Sequence, residues 1–355
     1  LKICIYSDPH WSTYSSILRQ RGKVFSKRLE TLIDSVNWVE RLAEQQGCKG
    51  IFCLGDFFDR NNLTAEEITA LNEIDWSSEI PHYFIVGNHE ITKDDLSMNS
   101  MNALFKYGMV ISEPSMLKIY NGINLYLIPY VDEDNRKSLR DTMLDANPNY
   151  DYQSVSEKNV IFSHNDIKGI RYDAYVSDMG WSINEIENNC NLYLNGHLHN
   201  GQWVSHKILN VGNLSGKKFT EDGFVHSHCA FILDTDTLEL QAFENPYAIY
   251  FYKVDILKEN DLSKLDTLKN ACVSITIKES LLGKVKEKVK SLSNIITHRT
   301  VVIPDDELVV ETNSEELLGK VNHLDKLNDF ILTQLGNFDI VKYELEKVCN
   351  WKGKE

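Results

Sequence analysis

Five apolar runs before residue 200 each end in a short polar motif built from Asp, Asn and His. The motifs are Asp8-Pro9-His10, Gly55-Asp56-Phe57-Phe58-Asp59, Gly87-Asn88-His89-Glu90, Ser163-His164 and Gly196-His197-Leu198-His199. The runs before them, at 2–7, 50–54, 81–86, 159–162 and 191–194, read as short buried strands. Between the first two, Val24, Phe25, Leu29, Leu32, Ile33, Val36, Val39 and Leu42 recur at helical spacing, which predicts an amphipathic helix over roughly 24–46. Thr64 followed by Glu67 makes a capping box that opens a second helix over 64–74. Strands alternating with helices predict an open α/β sheet, whose ligands gather at the carboxyl ends of the strands.

Further strands are expected at 123–128 and 208–211, and a hairpin joins 230–233 to 238–243 around Asp234-Thr235-Asp236-Thr237. A second unit starts near residue 250: a strand at 272–277, a helix at 281–292 and a strand at 295–302 make a small Lys-rich βαβ unit. An acidic stretch, Pro304-Asp305-Asp306-Glu307, leads to amphipathic helix over 313–348. The expected division is 1–250, 251–306 and 307–355.

A chain of 355 residues is long enough for more than one core. No apolar run approaches the ~20 residues of a membrane span. The N-terminus reads into a strand rather than a signal peptide. Seven cysteines are scattered without a Cys-x-x-Cys pair, which suits free thiols in a cytoplasm. A net charge of −15 argues against coating nucleic acid by bulk electrostatics. It leaves a nuclease open, because bound cations and a local basic loop reverse the sign at a site.

A phosphodiester repels nucleophiles by its own charge. Two cations about 3.5–4 Å apart can bind the phosphoryl oxygens and supply hydroxide. The motif residues are Asp, Asn and His without Cys, a donor set that suits Mn²⁺, with Fe or Zn also compatible. Singly, each has an ordinary reading: Asp8 as a turn former, His164 as a core imidazole.

Taken as a series, Asp-x-His, Gly-Asp-x-x-Asp, Gly-Asn-His-Glu, His and Gly-His-x-His resemble the calcineurin-like metallophosphoesterases over residues 8–199. The resemblance implies a four-layer α/β/β/α sandwich with a small α/β cap and C-terminal helices. It implies two divalent cations, with Asp8, His10, Asp56 and His199 holding the first. Asp56 bridges to the second, which Asn88, His164 and His197 complete. His89 becomes general acid or transition-state stabiliser, and Asp59 orients it through its other ring nitrogen.

The segment 208–224, with its Gly-Asn-Leu-Ser-Gly and Glu-x-Gly, and the layout beyond it look like the SbcD-type DNA repair nucleases, in size most like the version in T4-like phages. That resemblance implies Mn²⁺-dependent exonuclease action on duplex ends and endonuclease action on single strands. It also implies a homodimer, and an SbcC-type coiled-coil ATPase docked by the C-terminal helices through Leu317, Leu318, Val321, Leu324, Leu327 and Ile331. The long family C-terminal extension is absent. For DNA contacts, Arg19, Arg21, Lys23, Lys217 and Lys218 are candidates, with Trp11 and Tyr14 as stacking platforms. For the dimer, 64–74 and Met98, Met101, Leu104 and Phe105 are candidates. A stand-alone phosphoesterase acting on a small nucleotide or phosphoprotein, or a non-catalytic scaffold, are the competing readings.

Overall fold

The computed structural model describes residues 1–305 apart from 16, 93–94, 120–121, 149–157 and 173–174. The expectations for 307–355, the docking helix included, lie outside the described residues. Residues Leu1–Ile170 and Val176–Asp305 form one compact unit.

Two six-stranded sheets carry the fold. In the first, Lys2–Tyr6, Ile51–Cys53, His82–Ile85 and Met109–Ile111 run parallel in that order, and the hairpin Cys229–Asp234 and Leu240–Glu244 extends the Lys2–Tyr6 side antiparallel. In the second, Ile123–Ile128, Lys158–Ser163, Leu192–Asn195 and Ile208–Asn210 are parallel, with Ser115–Ile119 and Gln202–Trp203 as antiparallel edges.

Side-chain alternation explains the layering. Ile3 and Ile5 join Phe52, Leu54 and Ile85 against Leu125, Leu127, Val160, Phe162 and Leu194, so the two sheets share one core. Cys4 and Tyr6 point the other way, into a core with Leu29, Leu32, Val36 and Val39 of helix α1, Lys27–Gln46. On the far side of the second sheet lie α3 (Leu139–Ala146) and α4 (Ile183–Asn189), with α2 (Ala65–Ala70) beside α1. Helix, sheet, sheet and helix make the expected four layers. Strands buried on both faces read as near-continuous apolar runs, as Ile123–Ile128 does with Asn124 as its one interruption.

Helix α1 starts three residues later than the periodicity indicates. Ser26 takes the N-cap and accepts from Leu29 N at 3.2 Å, so Val24 and Phe25 fall outside. Gly47, at φ 68°, closes it. The capping box of Thr64 and Glu67 is present, but the α-helix stops at Ala70 and tightens into a 3₁₀ turn, Leu71–Glu73.

The third sheet is parallel: Tyr250–Ile256, Ala271–Lys278 and Ile295–Ile303, covered by α5, Leu282–Ser291. Its core is Val254, Ile256, Val273, Ile275 and Ile277 against Val285 and Val289. The strand Tyr250–Ile256 straddles the boundary expected at residue 250; its aromatic opening, Tyr250-Phe251-Tyr252, masks the alternation.

Two surface expectations change. Of the four residues proposed for a dimer surface, Met98 and Phe105 are exposed, while Met101 and Leu104 are fully buried in the first core. Trp11, offered as a stacking platform, is fully buried beside Phe57, its indole N–H donating to Glu67 O at 3.0 Å. Tyr14 stays exposed.

Candidate metal centre

All five motifs follow the carboxyl ends of parallel strands, which places them along one rim of the two packed sheets. Here the chain turns sharply. Asp8, His10, Asp56 and His197 have left-handed backbone, with φ of 51°, 48°, 46° and 75°. Each such conformation costs about 1–3 kcal/mol without glycine, so these positions retain their side chains against a backbone preference. Where only backbone can pass, glycine stands instead. Gly55 has φ 99°, and a Cβ there would collide with the His164 ring. A Cβ on Gly196 would strike Leu54 O and Ser7 Oγ.

Asp8, His10 and His199 form the first group. His199 Nδ1 lies 2.6 Å from Glu221 Oε1. Burial works against ionisation of Glu221, but the hydrogen bond and charge of His199, with the Lys217 main-chain N–H and the charge of His228, together outweigh it and hold the carboxyl down to about 2. The ionised Glu221 takes the hydrogen bond from His199 Nδ1 and so turns Nε2 toward His10. His10 Nδ1 faces Asp59 Oδ1 at 3.3 Å. Burial pushes His10 down to about 3, so it is neutral, with its proton on the Asp59 side. The two Nε2 atoms meet at 2.8 Å, with Asp8 Oδ1 3.8 Å from that of His10. Asp8 Oδ1 is itself buried without a hydrogen-bond partner among the described residues. The bare Nε2 of the neutral His10 and an orphaned carboxylate oxygen converge on the same point as His199 Nε2, a donor set that a cation would satisfy.

The second group is Asp56, His164 and His197. His164 Nδ1 donates to Leu54 O at 2.6 Å, aiming Nε2 at Asp56 Oδ2, 3.3 Å away, and Asn88 Oδ1, 3.2 Å away. His197 Nδ1 also lies 2.9 Å from Asn88 Oδ1, while its Nε2 is 3.4 Å from Asp166 Oδ1. Burial would lower the His164 pKa, but the charge and hydrogen bond of Asp56, with the charges of Asp8 and Glu90, together lift it to about 10. A positive charge is what this pocket favours.

Asp56 stands between the groups. Its Oδ2 is 3.3 Å from His164 Nε2, 3.9 Å from His10 Nε2 and 3.9 Å from His89 Nε2. Its Oδ1 accepts from His89 N at 3.0 Å. Glu90, fully buried, clamps the loops from below, accepting from Asp56 N, Phe58 N and Gly87 N at 3.2, 2.8 and 2.8 Å.

His89 is partly exposed, its Nδ1 2.8 Å from the main-chain carbonyl of Asp59. The Asp59 carboxylate, expected to orient His89, lies 3.8 Å from it and instead faces His10 and pairs with Lys217. The carbonyl stands closer to His89 Nδ1 than the carboxylate does, and the carboxylate is drawn to His10 and Lys217. The basic candidates divide likewise. Arg21 is tied to Glu66 at 2.8 Å and to Val24 O at 3.0 Å, and Lys217 is committed to Asp59. Arg19, Lys23 and Lys218 are exposed.

Sequence reading missed the partners Glu221 and Asp166, the clamp Glu90 and the buried Arg28. The Arg28 guanidinium donates to His10 O at 3.1 Å and Gly216 O at 3.1 Å, bracing the first motif from beneath. Asp166 follows His164 by two residues and Glu90 closes its motif, so both carried a signal. Arg28 carried none.

Residues 1–201 match the family model of the calcineurin-like phosphoesterases. No curated protein matches the chain. Solved structures similar to it include TT1561 of Thermus thermophilus at 10% identity, covering 68% of this chain and 98% of that one, with TM-score 0.39. A dimetal phosphatase from Danio rerio has 13% identity, covers 69% and 98%, and has TM-score 0.39. The calcineurin-like phosphoesterase YfkN from Bacillus subtilis has 9% identity, covers 69% and 88%, and has TM-score 0.37. The family match spans more than half of the chain, through the last of the five motifs, and the chain belongs to the calcineurin-like phosphoesterase family.

Proposed function

We propose that this chain is the nuclease subunit of an SbcCD-like complex, hydrolysing DNA phosphodiesters with two divalent cations, Mn²⁺ by preference. Family membership itself implies metal-dependent phosphoester hydrolysis. The observation that carries the two-metal reading is the Asp56 carboxylate, one oxygen of which lies 3.3–3.9 Å from imidazoles of both groups. Asp8, His10, Asp56 and His199 would hold one cation, and Asp56, Asn88, His164 and His197 the other. The donors fit, since imidazole, carboxylate and amide oxygen without thiolate suit Mn²⁺. Bound there, the pair would neutralise phosphoryl charge and supply the nucleophile at neutral pH.

The residues themselves orient and exclude. Asp59 O accepts from His89 Nδ1–H and turns Nε2 toward the site, where the ring in its protonated form would give the leaving oxygen its proton. Glu221, Asp59 and Leu54 O fix the ring orientations before any substrate arrives.

DNA as substrate is supported by the segment 208–224, by the three-stranded sheet beyond the matched region and by exposed Arg19, Lys23 and Lys218. The deciding assay uses end-labelled duplex and single-stranded circular DNA with Mn²⁺ or Mg²⁺, with and without a candidate ATPase. Cleavage of both DNAs is expected. Turnover of a chromogenic phosphodiester with neither DNA cut would move the substrate to a small nucleotide or phosphoprotein.

Gly55→Ala should push the His164 ring aside, because a Cβ has nowhere else to go. Metal content near half of wild type, with a lowered melting temperature, is the expected result; full loading at an unchanged midpoint would contradict the packing. A chain ending at Asp306 should keep its metals and basal nuclease activity and lose ATP-stimulated cleavage, since the proposed ligands lie between residues 8 and 199. Loss of metal on truncation would assign 307–355 to the core instead of to an ATPase. A homodimer through the exposed apolar residues Ile68, Met98 and Phe105 is also proposed; light scattering that gives only monomer with and without DNA would rule it out.

A further inference from the structure

Lys217 sits where the imidazoles of the first group are held. Its Nζ pairs with the Asp59 carboxylate and stands 3.5 Å from His10 Nδ1. Its main-chain N–H donates to Glu221 Oε2 at 2.6 Å, on the carboxylate whose other oxygen binds His199 Nδ1. One residue therefore touches both carboxylates that orient the two rings. Its side chain is about one-fifth exposed, at 21%, so its charge is turned inward.

The segment around it is anchored at several points. Asn213 Nδ2 donates to Glu221 Oε2 at 3.1 Å, and Gly216 O accepts from the buried Arg28 at 3.1 Å. Phe219 packs edge-on against Phe251 of the third sheet at 5.2 Å, with the Arg299 guanidinium 4.5 Å over its ring. An ammonium meant only for a phosphate needs none of this. A strap that must hold two carboxylates still does.

Resting on the reading that the first group holds a cation, we propose that Lys217 is a positioning residue of that metal. Its ammonium keeps Asp59 on His10 Nδ1, and its main chain keeps Glu221 on His199 Nδ1, so both Nε2 atoms aim at one point. Without the ammonium, Asp59 is a partly buried anion left, among the described residues, with the imidazoles of His10 and His89 and the charge of the buried Arg28, none of which holds it as Lys217 does, and it is free to swing to solvent. His10 then loses the partner that sets its tautomer, while the second group, whose rings rest on Leu54 O and Asp166, is untouched.

The test is an Mn²⁺ titration of the full chain, without substrate, by equilibrium dialysis and EPR, on wild type, Lys217→Met, Lys217→Arg and Asp59→Asn. Wild type should bind two ions. Lys217→Met should weaken one site about 10–100-fold, the usual effect of losing an orienting partner, and leave the other unchanged. Lys217→Arg should recover most of the loss, and Asp59→Asn should copy Lys217→Met. If Lys217→Met does not fold, Asp59→Asn and Lys217→Arg decide the matter, since neither empties the space. Unchanged affinities with weakened DNA binding alone would overturn the proposal and make Lys217 a phosphate contact. Wild type binding no Mn²⁺ would overturn the metal reading itself, an outcome that no variant result imitates.

Discussion

Asp56→Asn is expected to keep the fold and lose both metals, with more than about 100-fold weaker binding, beyond the ~10–100-fold typical of orienting residues. The substitution changes one oxygen to an amide nitrogen. The backbone at Asp56 is left-handed, a conformation Asn tolerates, and the amide can still take the hydrogen bond from His89 N through its oxygen. What vanishes is the negative charge shared between two clusters of imidazoles, and a neutral amide bridges two dications poorly. Phosphodiesterase activity should fall with the metals. Metal analysis of the purified variant, with a thermal melt as the folding control, checks this. Two ions per chain in the variant would contradict Asp56 as the bridge.

His89→Ala should show the opposite pattern: both metals retained and turnover down about 10²–10⁴-fold, the usual worth of a general acid. Geometry separates the two cases. His89 is held by a backbone carbonyl and reaches toward Asp56 only to 3.9 Å, while its ring packs edge-on to His10 at 4.8 Å. One close grouping does place His89 with His10 and Asp59, which offers the alternative that it is itself a ligand. A variant that loses metal would establish that alternative; a variant with wild-type turnover would remove His89 from the chemistry.

The parallel strands were legible because burial on both faces makes them mostly apolar, and five of them end at a polar motif with a defined spacing. Ile123–Ile128 matches its expected bounds, and the motif strands shift by one residue or so. The ring and carboxylate partners were less legible because they join distant residues. Glu221 meets His199 across 22 positions and Arg28 meets Gly216 across 188. Asp59 misled for a different reason. The motif identifies a carboxylate near His89, but only the turn of the chain decides whether carbonyl or carboxylate faces the ring. Trp11 and Arg21 misled because an aromatic or a cation near a phosphodiester site looks available. In the fold, Trp11 stacks on Phe57 beneath the site, and Arg21 is neutralised by Glu66, 45 positions away.

The central claim is a pair of cations sharing Asp56. The measurement that tests it most directly is EPR of the purified chain titrated with Mn²⁺, read alongside bound metal per chain. Two ions per chain with a spin-coupled signal at full loading, replaced by a single isolated-ion signal at half loading, is the predicted result. One ion per chain, or two ions whose spectra remain those of isolated Mn²⁺, would contradict it.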